Sequence, residues 1–172
     1  YKKERVPIDI LKKVFKAMQY APTSANIRSE NFAILSNQEE IKILLDAVQE
    51  ELLKNPAWKD LCEEELMHLG KEYHSPIYYD APHVIFVSSS LIMELEYFNI
   101  ANIITYGRLA AQSLGLGTCW NGWTQMAIEN NPKLKRLAHI SGKKIGAFTI
   151  GYPDVTYYRV PPRSQKRIKG LK

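Results

Sequence analysis

Apolar residues recur at three- and four-residue spacings at the start of the chain: Ile8, Leu11, Val14, Phe15 and Met18 mark one face of a helix over about residues 7–20. Pro7 suits its first turn, and Ala21-Pro22 ends it. The pattern then shortens to a strand candidate at Asn31–Leu35 (NFAIL). A helical period returns through Ile41, Leu44, Leu45, Val48 and Leu52, predicting a helix over 38–53. A further helical run over 58–73 carries many charges and a thin apolar stripe, which places it at the periphery. After Ala81-Pro82 the run HVIFVS (83–88) is almost continuously apolar, the mark of a strand covered on both faces.

From about residue 92 to 114 the chain reads as a long helix with small residues (Ala101, Gly107, Ala110, Ala111), which suits close packing on another backbone. Gly115-Leu-Gly117 breaks it, TCWNGW (118–123) reads as strand or loop, and residues 132–138 form a short helix. KIGAFTI (144–150) is the last clear strand. Interleaved helices and strands predict one layered α+β or α/β domain over 1–172, ending in an extended tail from about 153 to 172. Tyr157, Tyr158 and Val160 in that tail have no local apolar partner, so a second subunit is expected to bury them.

Composition narrows the setting. The chain has 172 residues, 45% apolar and 24% charged, enough to fold around a core. A formal charge of +5 attracts anions without distinguishing a phosphate-bearing ligand from nucleic acid. Two cysteines, Cys62 and Cys119, are too few for a disulfide framework or a zinc site built on cysteine pairs. With no apolar run of membrane-spanning length and no signal segment behind the basic start, a cytoplasmic protein is expected. The chain begins at Tyr1 without an initiator Met, as expected of one processed, trimmed or cut from something longer.

Three clusters carry candidate chemistry. Ala21-Pro-Thr-Ser-Ala-Asn-Ile-Arg28 offers hydroxyls, an amide and exposed backbone at a helix exit, and the same residues also make an ordinary capped turn. Gly115–Trp123 (GLGTCWNGW) combines close backbone approach with aromatic cover, but a helix precedes it where the dinucleotide fingerprint requires a strand. Tyr157-Tyr-Arg-Val-Pro-Pro-Arg163 supplies guanidinium forks suited to phosphate, or a solvated basic tail. No recognised nucleic-acid module surrounds these arginines. Cys119 has no evident base, and an apolar setting beside Trp120 raises its pKa, so it lines a pocket and is not a nucleophile. His68, His74, His83 and His139 are too scattered for a metal site.

In order and approximate spacing, APTSAN, APHVIFV, the long helix running into GLGTCWNGW, and IGYPD followed by PPR resemble the FMN-dependent nitroreductase family over nearly the whole chain. The GYPDVTYYRVPPR ending resembles a subgroup often found behind a ferredoxin-like iron–sulfur domain. The resemblance implies an α+β sandwich whose central, mainly antiparallel sheet is flanked by helices. It also implies a homodimer that exchanges its tails and holds FMN at the subunit interface.

By position, the resemblance implies that Pro22, Thr23, Ser24 and Asn26 border the flavin from the neighbouring subunit. Cys119, Trp120, Asn121 and Gly122 match the loop beside the ring, where a backbone N–H meets N5, and Arg163, helped by Arg159, matches the phosphate position. Arg28-Ser29-Glu30 stands where the family usually has Gln-Pro-Trp, which would put Arg28 near the flavin. The family's amino-terminal Arg-Arg-Ser phosphate motif would lie before Tyr1.

The implied activity is ping-pong transfer of two electrons from NAD(P)H or a reduced ferredoxin to a nitroaromatic, a quinone or another conjugated acceptor. The flavin performs the redox step, so no catalytic acid or base is required of the side chains. The alternative is a flavin or small-ligand binding protein of the same fold without turnover.

Overall fold

Among the residues that the computed structural model describes, 1–156, 158–159 and 161–170, six α-helices alternate with four strands. The helices are α1 (Ile8–Gln19), α2 (Gln38–Leu53), α3 (Pro56–Leu69), α4 (Leu95–Ser113), α5 (Gly122–Ile128) and α6 (Pro132–Leu137). The strands are β1 (Glu30–Leu35), β2 (His83–Ser89), β3 (Gly117–Trp120) and β4 (Lys144–Gly151). They form one sheet in the order β1-β2-β4-β3, with every neighbouring pair antiparallel.

Alternation along the strands builds two cores. Val84 and Phe86 of β2 join Ile145 and Ala147 of β4 on one face, packed beneath Leu44 and Val48 of α2 and Ile128 of α5. Ile85, Val87, Phe148 and Ile150 point the other way, against Val14 and Met18 of α1 and Ile100 and Ile104 of α4. All seven β2 residues are buried, as its unbroken apolar run predicts. Each fully buried aliphatic or aromatic side chain contributes about 1.5–3 kcal/mol, so these two layers dominate stability.

Two glycines set how closely α4 lies. A Cβ on Gly146 would sit 2.6 Å from Ile104 Cδ1 and 2.7 Å from Ile100 Cγ2, so glycine in β4 lets α4 rest on the strand. A Cβ on Gly107 would sit 2.7 Å from Met18 Cγ, which is the close packing that the small residues of α4 predict.

The amino-terminal segment crosses the end of the sheet. Lys2 N–H donates to Tyr152 O at 2.9 Å, and Val6 N–H donates to His83 Nε2 at 3.1 Å. Since Nε2 accepts, Nδ1 carries the ring proton and donates to Ser36 Oγ at 2.7 Å, which defines a neutral tautomer. Burial pushes His83 down from its usual 6.5 to about 4, and Arg5 adds to the shift.

α5 departs from the strand-or-loop reading of 118–123. Its seven residues are too few to show a helical period, and Gly122 at the first position is a poor helix former. What starts it is the cap: the Asn121 side chain accepts from Thr124 N–H. Beyond β4, residues 154–156, 158–159 and 161–170 are exposed and carry no helix or strand. The expected burial of Tyr157 and Val160 on a partner falls outside the described residues. Among those described, no helix is long and apolar enough to cross a membrane.

Candidate active site

Chemistry-bearing residues gather where β3 turns into α5. β3 is pinned to β4 by the pairs Cys119↔Thr149 and Trp120↔Phe148, and the chain leaves the sheet at Asn121. Asn121 is 4% exposed and fully used: its N–H donates to Ala147 O at 2.8 Å, Nδ2 donates to Ile77 O at 2.6 Å, and Oδ1 accepts from Thr124 N–H at 2.9 Å. Thr124 Oγ1 meets Tyr78 OH at 3.1 Å beneath it. Asn121 therefore organises the corner and has no backbone donor left for a ligand.

Gly122 is different. It is half-buried, its backbone is outside the left-handed region, and an added Cβ would meet nothing within 4 Å. Neither conformation nor packing inside the chain requires glycine here. The space that a Cβ would fill is open, and such an opening fits a flat ring brought close to the backbone.

A cavity of about 310 Å³ adjoins this glycine, lined by Trp120, Trp123, Tyr79, Ile77 and Glu65 among others. Trp120 is held by Nε1–H donation to Gln125 Oε1 at 3.2 Å. A second cavity of about 380 Å³ lies between Tyr1, Tyr73, Tyr79, Cys119 and Pro153. Tyr79 lines both. At φ 54 and 55, Tyr79 and Asp80 adopt the left-handed region that a bulky side chain rarely occupies, a local strain that the surrounding packing must maintain.

Tyr1 OH hydrogen-bonds Thr149 Oγ1 at 2.9 Å, and burial pushes its phenol up to about 12. Burial likewise pushes the Cys119 thiol up, partly offset by Arg108, so the thiol stays protonated and lines the cavity as the sequence suggests. Nothing local in the sequence marks Tyr1, Tyr73, Tyr79 and Glu65 as cavity residues, and sequence reasoning missed them. The one visible signal is the aromatic pair Tyr78-Tyr79 ahead of Ala81-Pro82.

The turn after α1 lies elsewhere in the chain. A short 3-10 turn spans Ser24–Asn26, with Ala25 and Asn26 at φ 51 and 53. Each non-glycine residue in this conformation costs about 1–2 kcal/mol. The turn is closed by Thr23 Oγ1–H donation to Ile27 O at 2.7 Å and rests on α4, where Asn102 Nδ2 donates to Pro22 O at 3.3 Å. Among the described residues, none of 22–28 lines either cavity at the β3–α5 corner.

Arg28 is committed to its neighbours: Nε pairs with Glu30 Oε1 at 3.1 Å, and the guanidinium also donates to Gln19 O at the end of α1. Arg159 and Arg163 lie on the exposed tail without a hydrogen bond or ion pair to the body among the described residues. One chain thus assembles the corner completely, and leaves the turn and the tail arginines outside it.

Helices cover both faces of the antiparallel sheet, and an aromatic cavity opens at the β3–α5 corner. The model of the nitroreductase family matches residues 1–152, and the chain belongs to that family. Solved structures agree on the fold. A nitroreductase with bound FMN from Desulfitobacterium hafniense is 17% identical, with 100% of this chain and 91% of that one covered at a TM-score of 0.80. A nitroreductase with bound FMN from Bacteroides fragilis is 19% identical, covering 100% and 90% at 0.76. A variant of an FMN- and NADPH-dependent nitroreductase from Sphigopyxis sp. strain HMH is 15% identical, covering 99% and 93% at 0.70. A search of curated proteins finds no match.

Proposed function

We propose that two copies of this chain hold FMN between them and move two electrons by ping-pong from a reduced donor to a nitroaromatic, a quinone or a similar conjugated acceptor. The observation that carries this reading is the opening at Gly122, a glycine that the chain's own packing does not need, beside an aromatic cavity. Bound FMN supplies the redox chemistry itself. Gly122 offers its N–H at the ring, because the N–H of Asn121 is taken by Ala147. Trp120 and Cys119 line the space on either side of the β3 strand, and neither acts as acid or base.

The second copy completes what one chain leaves apart. Leu95, Phe98, Tyr106 and Leu109 form an exposed apolar stripe along α4, with Phe98 66% and Leu109 61% exposed. Such a stripe beside the 22–26 turn is the mark of an interface, and it supports Pro22, Thr23, Ser24 and Asn26 bordering the flavin of the opposite subunit. The uncommitted Arg159 and Arg163 suit a phosphate by charge and by bidentate geometry. Arg28, already paired with Glu30, is left out of this set.

The donor is NAD(P)H or a reduced ferredoxin-like iron–sulfur protein; the NADPH-dependent relative supports the first and the subgroup resemblance of the tail the second. The test is spectroscopic. The purified protein is expected to show flavin absorbance that bleaches anaerobically with NADH, NADPH or reduced ferredoxin and returns on adding a nitroaromatic or quinone. A colourless protein that takes up no added FMN overturns the flavin reading. A flavin that stays oxidised with every donor overturns the enzyme and leaves a binding protein.

A further inference from the structure

The two left-handed residues of the 22–29 turn persist only if something outside the turn holds its ends, since neither is a glycine. Both ends are held by a pair of buried side chains on α4. At the near end, Ser24 N–H donates to Asn99 Oδ1 at 2.8 Å. At the far end, Ser29 Oγ–H donates to Glu96 Oε2 at 2.8 Å. Asn99 and Glu96 stand three residues apart on the same face of α4, and Asn99 Nδ2 donates to Glu96 Oε1 at 2.9 Å.

Glu96 is 1% exposed, and no cation pairs with it among the described residues. Every contact is a donor aimed at the carboxylate. Leu91 N–H donates to Ser89 Oγ at 3.2 Å, Ser89 Oγ–H to Ser29 Oγ at 3.0 Å, and Ser29 then to Glu96, so the whole chain of protons runs one way. Burial pushes the Glu96 carboxyl up, but hydrogen bonding from this pair of serine hydroxyls and from Asn99 outweighs it, and the net shift is downward. An ionised carboxylate, acceptor at both oxygens, is what this arrangement requires.

The directionality gives Glu96 a second effect. An amide such as Asn99 has an oxygen end and a nitrogen end, and only the nitrogen end can meet Glu96. That choice turns Oδ1 toward Ser24 and fixes the start of the turn.

We propose that Glu96 is the positioning residue of the flavin-bordering turn, setting its entry through Asn99 and its exit through Ser29. This rests on the reading of the turn given under Proposed function. Glu96 itself touches no ligand; it acts through the shape of residues 24–29. The role depends on the pattern of donors and acceptors, and so it can be broken and restored without changing size.

In Glu96→Gln, one face of the side chain becomes a donor, which meets either the Asn99 amide or the Ser29 hydroxyl. In the double variant Glu96→Gln with Asn99→Asp, the pattern is restored with the two roles exchanged. The introduced amide donates to the introduced carboxylate, that carboxylate accepts from Ser24 N–H, and the amide oxygen accepts from Ser29. The experiment measures amide hydrogen exchange over 22–29 in the FMN-free full chain, and FMN affinity by quenching of flavin fluorescence. Glu96→Gln is expected to speed exchange in the turn and weaken FMN about tenfold, and the double variant to recover both to within about threefold of wild type.

Ser29→Ala, which removes the far-end donor to Glu96 along with the acceptor of Ser89 and leaves Asn99 in place, serves as the milder variant if Glu96→Gln does not fold, and is expected to show a smaller change in the same direction. Unchanged exchange and affinity in a folded single variant overturns the proposal, and so does a double variant no better than the single. If the wild-type chain binds no FMN at all, the flavin reading falls by itself. The exchange data then decide whether Glu96 holds the turn.

Discussion

The β3–α5 corner and the turn after α1 are both short, rich in small polar residues and assigned to the same ligand, yet they are built oppositely. The corner is bonded into the sheet by its own backbone, and Asn121 spends its polar groups on Ala147, Ile77, Thr124 and Gln125. The turn makes no strand pairing. It keeps two left-handed residues in place through side chains reaching from α4. A corner of the first kind is fixed by the sheet it belongs to, whereas a turn of the second kind is held by side chains of another helix. The difference teaches that the corner should fail as a fold and the turn should fail as a site.

The largest effect is expected at Asn121. Asn121→Ala leaves Ile77 O and Thr124 N–H without partners in a buried place and removes the cap of α5. At about 1–3 kcal/mol per orphaned group, the loss in unfolding free energy is about 3 kcal/mol, read from a urea titration. A loss near zero would mean that the corner is not built from within.

Next comes the tail. Arg163→Ala is expected to weaken FMN retention about tenfold, the worth of one charge-assisted contact, while Lys13→Ala on exposed α1 leaves it unchanged. Equal retention in both variants removes Arg163 from the phosphate site.

Gly122→Ala separates site from fold at the corner. A Cβ there meets nothing and the backbone is not left-handed, so stability is expected to stay within about 1 kcal/mol of wild type or to rise slightly. FMN affinity is expected to fall several-fold. Tight binding in this variant would show that no ring approaches Gly122.

A pH effect lies outside both segments and sets their baseline. His83 is held neutral, accepting from Val6 N–H, with its folded-state value about 4 against the usual 6.5. The unfolded chain therefore takes up the proton first as pH falls. His83's contribution is full above about pH 6.5, shrinks between 6.5 and 4, and is lost below that. Wild-type thermal midpoints are expected to drop by roughly 5–10 degrees across that window, and His83→Gln to flatten the part of the slope above about pH 5. An equally steep slope in the variant assigns it to the carboxylates.

The strands and most helices were legible because their apolar positions keep a regular period over a long enough run: β2 as an unbroken apolar segment, α1 and α2 as three-four repeats. α5 was not, since seven residues starting from glycine carry too little pattern, and its Asn121–Thr124 cap is a signal shared with many turns. Within the candidate site, the sequence singled out the stretch 119–122, which the fold places beside the two cavities, but could not tell Asn121 from Gly122. The distinction depends on Ala147, which meets Asn121 only because β3 pairs with β4. Arg28 was likewise placed by motif position, while its actual partners, Glu30 and the end of α1, follow from how the turn folds back.

Periodicity, punctuation and motif order are properties of neighbouring residues, and from them the chain by itself determined its layered α+β class, its family resemblance and the two segments where a ligand is expected. Which backbone groups stay free, which cations are already paired, and that the bonded pair Glu96 and Asn99 on α4 meets both ends of a turn far earlier in the chain were decided only by tertiary structure. Hydrogen bonds are directional and saturable, so whether a donor is left for a ligand depends on partners that the chain brings near only after the sheet has closed.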